Sequence, residues 1–232
     1  MAEKVRYTRK DLKGPDEFIS TFGRTVAWAK ENRARLAAAV LGVVALVAVV
    51  LGVQAYFQWE ENRSGRELWP RLNSARDLLQ SPGGAAPERV AELERFLAAH
   101  VKAHPKTRAA VYSLYYLGGI AFLRGEYDRA AEQYRTGVAT GKAAGIMEYL
   151  LREGVAKSLE AKGDFPGAAA AYREAAGFAP AEMKDQPMIG EARCLALSGK
   201  KSEAAALYRQ ILKDRRGTKA RNLIEIQLAQ ME

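Results

Sequence analysis

"GEYDRAAEQY" spans Gly125–Tyr134, and the chain repeats its outline twice, as "GDFPGAAAAY" over Gly163–Tyr172 and "GKKSEAAALY" over Gly199–Tyr208. Each stretch opens on Gly, holds Ala at the same offset (Ala130, Ala168, Ala204) and closes on Tyr. The first two also set an aromatic, Tyr127 or Phe165, just after the Gly, where the third has Lys201. A small residue precedes each Gly at one further fixed offset: Gly118, Ala156 and Ala192. Small residues at matched positions suit two helices that cross at close range. A Gly between two helical runs suits a left-handed helix stop. The aromatics then fill the space between one helix pair and the next.

This is the pattern of tetratricopeptide repeats, helix–turn–helix units with a period of ~34 residues that must stack to bury a core. It predicts an all-α chain whose main body is a tetratricopeptide-repeat-like helical solenoid. Repeats are expected near 109–142, 148–180 and 185–216. A divergent first repeat near 66–105 is built from "SGRELWPRLNSARDLLQ" and "PERVAELERFLAAHVKAHP", with the turn "SPGGAAP" between them. A capping helix over 218–231 presents Leu223, Ile226, Gln227 and Gln230 on one face.

Ahead of this body lies "LAAAVLGVVALVAVVLGVQAYF", Leu36 to Phe57, with no polar side chain before Gln54. At ~1.5 Å per residue its helix crosses a hydrocarbon core of ~30 Å. It is longer than a secretory h-region and has 35 residues before it, so it reads as an uncleaved signal anchor. The formal net charge of +9 divides into +4 over residues 1–35, none over 36–57 and +5 over 58–232. The Lys/Arg excess before the span places the N-terminus in the cytoplasm and 58–232 outside, in a periplasm if the cell has two membranes. Residues 1–35 form a basic tail whose 16–35 portion, capped by Asp16, is an amphipathic helix with Phe18, Phe22, Val26 and Ala29 on one side. Within the span, Ala38, Gly42, Ala45, Ala48 and Gly52 share a face that lets another helix, or a second copy, pack closely.

No nucleotide loop, metalloprotease helix or nucleophile elbow is present, and no basic stripe with interleaved aromatics. Catalysis, cofactors and nucleic acid are therefore not expected. His100 and His104, the only histidines, stand at i, i+4, a metal-ligand spacing, but the sequence marks no third ligand. The lone Cys194 sits in an apolar helix and reads as a small core residue. Binding is the better expectation. In such repeats the first helix of each pair lines an inner groove, which nominates Tyr112, Tyr115, Phe122, Leu150, Glu153, Lys157, Glu160, Gln186, Ile189 and Arg193. Tyr112, Tyr115 and Tyr116 are read equally well as packing against the divergent first repeat.

The order of basic tail, single span and external degenerate repeats resembles the ancillary SecYEG translocon subunit family. The resemblance runs through "DEFISTFGRTVAWAKENR", the span, "FLAAHVKAHPKTRAAVYSLYYLGGIAFLRGEYDRAAEQY" and the closing "LIEIQLAQ". It implies an inner-membrane protein whose span associates with the translocon and whose outer domain passes emerging polypeptides to periplasmic chaperones. The family has no sharp site motif, so no functional residue carries across. The basic tail before Pro15 is longer than that family leads one to expect, and Lys201 weakens the third repeat. A scaffold for cell-wall or outer-membrane assembly, working through the same groove, is the alternative.

Overall fold

The computed structural model describes residues 17–80, 87–215 and 217–231. Residues 1–16 of the basic tail, with the cap expected at Asp16, and the "SPGGAA" turn lie outside these residues, as does the side chain of Phe18. Every regular element among the described residues is helical, and the chain divides into two compact units, 1–57 and 58–232.

The first unit contains α1 (Glu17–Glu31) and the opening of α2 (Arg33–Gln80). A single residue, Asn32, separates the two helices, and its side-chain amide donates to the Trp28 carbonyl (3.0 Å). The helix expected over 16–35 thus ends earlier, at Glu31. α2 runs for 48 residues without a stop. The apolar span and the first helix of the body, expected as separate elements, are one helix. No breaker lies between Phe57 and Ser64, and Pro70, which forfeits one backbone hydrogen bond, does not end it. α2 is the one helix among the described residues long and apolar enough to cross a membrane, and its apolar window is unburied.

The second unit is a succession of helices: the rest of α2, α3 (Pro87–Ala103), α4 (Arg108–Leu123), α5 (Tyr127–Ala139), α6 (Ile146–Lys162), α7 (Phe165–Phe178), α8 (Asp185–Leu197), α9 (Lys201–Asp214) and α10 (Arg221–Ala229). From α3 to α10 each helix packs on the next in sequence, and α4 also reaches α6.

The turns inside the pairs α4/α5, α6/α7 and α8/α9 are closed identically. Gly125, Gly163 and Gly199 take φ of +76°, +89° and +86°. Their N–H groups donate to Phe122, Glu160 and Ala196 (3.0, 2.9 and 3.0 Å). The following residues, Glu126, Asp164 and Lys200, donate to Ala121, Leu159 and Leu195 (2.9, 3.0 and 2.9 Å). This double closure satisfies the orphan carbonyls at a helix end and needs a left-handed residue, hence glycine.

The tyrosines join one pair to the next. The Tyr134 ring rests on Gly154 of α6 and the Tyr172 ring on Gly190 of α8; a methyl group at either glycine would meet the ring at 2.8 Å. Tyr134 also covers Gly118 of its own pair. Tyr208 has no such seat and packs in a cluster with Ile189, Ile211 and Ile224.

α10 corrects the expected cap. It is shorter than 218–231, and Ile224 is its buried residue, whereas Leu223 and Ile226 are 50% and 55% exposed. Ile224 and Leu228, one turn apart, make the inward contacts, so the face read from Leu223 and Ile226 is rotated out of register.

Candidate functional site

Helices α4, α6 and α8, the first of each pair, carry the residues nominated for a groove. Tyr112 is half-buried and meets Trp69 of α2 edge-to-face at 5.2 Å between ring centroids. Tyr115 is half-buried between Tyr116 (5.5 Å) and Tyr134 (6.0 Å). Phe122 lies 5.4 Å from Tyr127, and Leu150 packs on the same cluster. Tyr112, with Tyr116, thus packs against the first helix pair, the role named beside the binding one, whereas Tyr115 packs forward on Tyr134 of α5.

The polar members are engaged with each other. Glu153 is buried; it accepts from the Tyr149 hydroxyl (2.9 Å) and pairs with Lys157 (2.9 Å). Glu160 of α6 receives a fork from Arg193 of α8, at 2.5 and 2.8 Å, and the Tyr172 hydroxyl of α7 at 2.7 Å. Burial alone would raise the Glu160 carboxyl, but these hydrogen bonds more than offset it and hold the group below its ordinary range. Gln186 is exposed, while Ile189 is a buried core residue. The nominated row thus holds three aromatics that brace their neighbours, four charges paired among themselves, two packed aliphatics and the exposed Gln186. Cys194, beside Glu160 and Arg193, is fully buried, and burial followed by the Glu160 charge pushes its thiol up to about 12.

On α2, Ala38, Gly42, Ala45, Ala48 and Gly52 are all exposed, and among the described residues nothing approaches Gly42 or Gly52 within 4 Å of where a methyl would sit. That row remains available for close helix packing.

The histidines lie in a buried polar network where α2, α3 and α4 meet. His100 and His104 are 3% and 4% exposed. His100 Nδ1 is 2.9 Å from Ser113 Oγ; its Nε2 is 3.1 Å from both Ser64 Oγ and the Ser64 carbonyl. Ser64 Oγ also meets Thr107 Oγ1 (2.8 Å), the residue that caps α4. His104 Nδ1 lies 2.6 Å from Glu60 Oε1 and its Nε2 3.0 Å from Glu67 Oε2. Burial depresses His100, whereas the two carboxylates outweigh burial at His104 and raise it. Glu67 is held low, chiefly by its hydrogen bond to His104. Glu60, Ser64 and Glu67 stand at i, i+4 and i+7, one stripe of α2 facing the i, i+4 stripe of α3. Sequence reading finds the histidine stripe but not its partner, because two glutamates on a polar stretch look like a solvated face.

Comparison with protein-family models, with curated proteins and with solved structures finds no match.

Proposed function

We propose that this protein is a membrane-anchored protein-interaction module, an ancillary component of the secretory translocon. α2 anchors it with the N-terminus in the cytoplasm, and residues 58–232 form a tetratricopeptide-repeat-like solenoid on the far side, the periplasm of a two-membrane cell. There the solenoid passes emerging polypeptides toward periplasmic chaperones, while the span contacts translocon subunits.

The observation that carries this reading is the repeated joint: three identically closed helix turns, two of them followed by a tyrosine seated on a glycine of the next pair. Such stacking is how repeat proteins build extended binding surfaces rather than enclosed reaction sites. The apolar window of α2 and the unobstructed row at Gly42 and Gly52 support the membrane half of the proposal.

The test is affinity purification from membranes in mild detergent, comparing the native chain with one whose Leu36–Phe57 is replaced by an unrelated span. Translocon subunits should come with the native chain and be lost from the swap. Equal recovery of cell-wall or outer-membrane assembly proteins by both, without translocon subunits, would move the protein to the envelope-scaffold alternative.

A further inference from the structure

We propose that Glu67, His100 and His104 form a binding site for a divalent transition metal such as zinc. One donor atom from each lies within 4.8 Å of the others. Two imidazoles and a carboxylate are a ligand set suited to zinc, with a fourth position left for water.

The surroundings argue for a built site. Thr107 donates to the His104 carbonyl, so the Ser64 hydroxyl donates to Thr107 and both Ser64 oxygens face His100 Nε2 as acceptors: in the ion-free arrangement Nε2 carries the hydrogen and Nδ1 accepts from Ser113. Binding an ion moves that hydrogen to Nδ1, where the Ser113 oxygen accepts it while its hydroxyl donates to the Ala109 carbonyl (3.2 Å), and so frees the Nε2 lone pair to ligate. His104 Nδ1–H already donates to Glu60, and its Nε2 faces Glu67, where the ion takes the place of the hydrogen between them. A ligand histidine whose other ring nitrogen donates to a carboxylate or hydroxyl is the usual outer support of a metal centre. His104 Nε2 and Glu67 Oε2, 3.0 Å apart, need to part by only a few tenths of an ångström to reach the ~3.4 Å between two donors on a tetrahedral ion with bonds of ~2.1 Å. His100 Nε2 turns from Ser64 to complete the set, and Ser64 keeps Thr107.

Charge points the same way. When the ion replaces the hydrogen between His104 Nε2 and Glu67, the carboxylates of Glu60 and Glu67 balance its two positive charges. Glu67 is 43% exposed and gives the ion a route in from solvent, while the histidines are shielded. The ion would tie α2 to α3.

The full-length protein in detergent, stripped with EDTA and dialysed, is titrated calorimetrically with Zn²⁺; Co²⁺ absorption reports geometry and thermal melting reports stabilisation. We expect one ion per chain, a tetrahedral Co²⁺ spectrum and a higher melting temperature. Glu67→Gln, at a partly exposed side chain, should weaken binding at least tenfold, and Ser113→Ala about tenfold through lost orientation of His100. Glu92→Gln, on the outer face of α3, should leave affinity unchanged. Absence of saturable uptake at one ion per chain would overturn the proposal and leave His104 as an imidazolium held by two carboxylates. Binding within twofold of wild type in both Glu67→Gln and His100→Gln would overturn it equally; since Glu67→Gln tests a partly exposed position, a folding failure of the histidine variant does not blunt the result.

Discussion

At the scale of single residues, glycines divide into those that seat an aromatic ring and those that do not. Gly154→Ala and Gly190→Ala place a methyl 2.8 Å from Tyr134 and Tyr172. Overpacking of this kind costs ~1–3 kcal/mol and outweighs the gain of alanine in a helix. Gly177, also helical, has nothing within 4 Å, so Gly177→Ala should stabilise by up to ~1 kcal/mol. Melting temperatures of the three variants in detergent should therefore move in opposite directions. Cys194 supplies a second check at this scale: buried and with its thiol held high, it should stay unlabelled by a maleimide in the native protein and react on denaturation. Sequence reading reaches the tyrosines and the turn glycines, because both recur at fixed offsets. It misses the seats at Gly154 and Gly190, because a glycine inside a helix is visible only as a weak helix former until its neighbour is known.

At the scale of elements, helix ends show how differently one rule is applied along the chain. α7 is capped by Asp164, whose carboxylate accepts from the Gly167 N–H (3.0 Å). α4 is capped by Thr107, which accepts from Ala110 (3.1 Å), donates to the His104 carbonyl (3.0 Å) and is buried beside Ser64. α5 and α9 start at Glu126 and Lys200 with no side-chain cap, so the cap does not follow the strength of the sequence motif. Loss of an exposed cap costs ~1 kcal/mol, so Asp164→Ala should fall near that figure. Thr107→Ala should exceed it, since Ser64 loses a buried partner as well. Denaturant titration of the two variants checks the order. The unbroken α2 shows where pattern reading stops. Hydropathy ends a span at Phe57 because side chains change there, but a helix ends only where backbone hydrogen bonding does, and "QWEENRSGREL" contains nothing to stop it. The register of α10 was hidden for a related reason: with apolar residues at 223, 224, 226 and 228, the sequence offers two faces, and the cluster around Tyr208 selects Ile224.

For the whole molecule, ionic joints tie distant helices. Glu94 of α3 takes Arg124 at 2.6 Å and Arg129 at 2.7 Å; Glu160 takes Arg193. Burial would raise both carboxyls, yet the arginine hydrogen bonds leave them below the ordinary 4.5. A carboxyl lowered in the folded state adds stability that is present above pH 4.5 and lost as pH falls through the folded value. The melting temperature should therefore drop below about pH 4.5, and the drop should be shallower in Glu94→Gln together with Glu160→Gln, whose stability at neutral pH is already reduced. The tyrosine–glycine joint has a consequence of another kind. The pairs α4/α5 and α6/α7 each end in a plug for which the next pair begins with a socket, so these units are interchangeable links, while the last plug, Tyr208, finds a stopper in Ile224 in place of a socket. A second copy of residues 164–199 spliced in after Gly199 would meet a matching partner at both of its ends. The chain is thus spelled in a grammar that permits longer sentences, with length open to change by duplication and the full stop already in place.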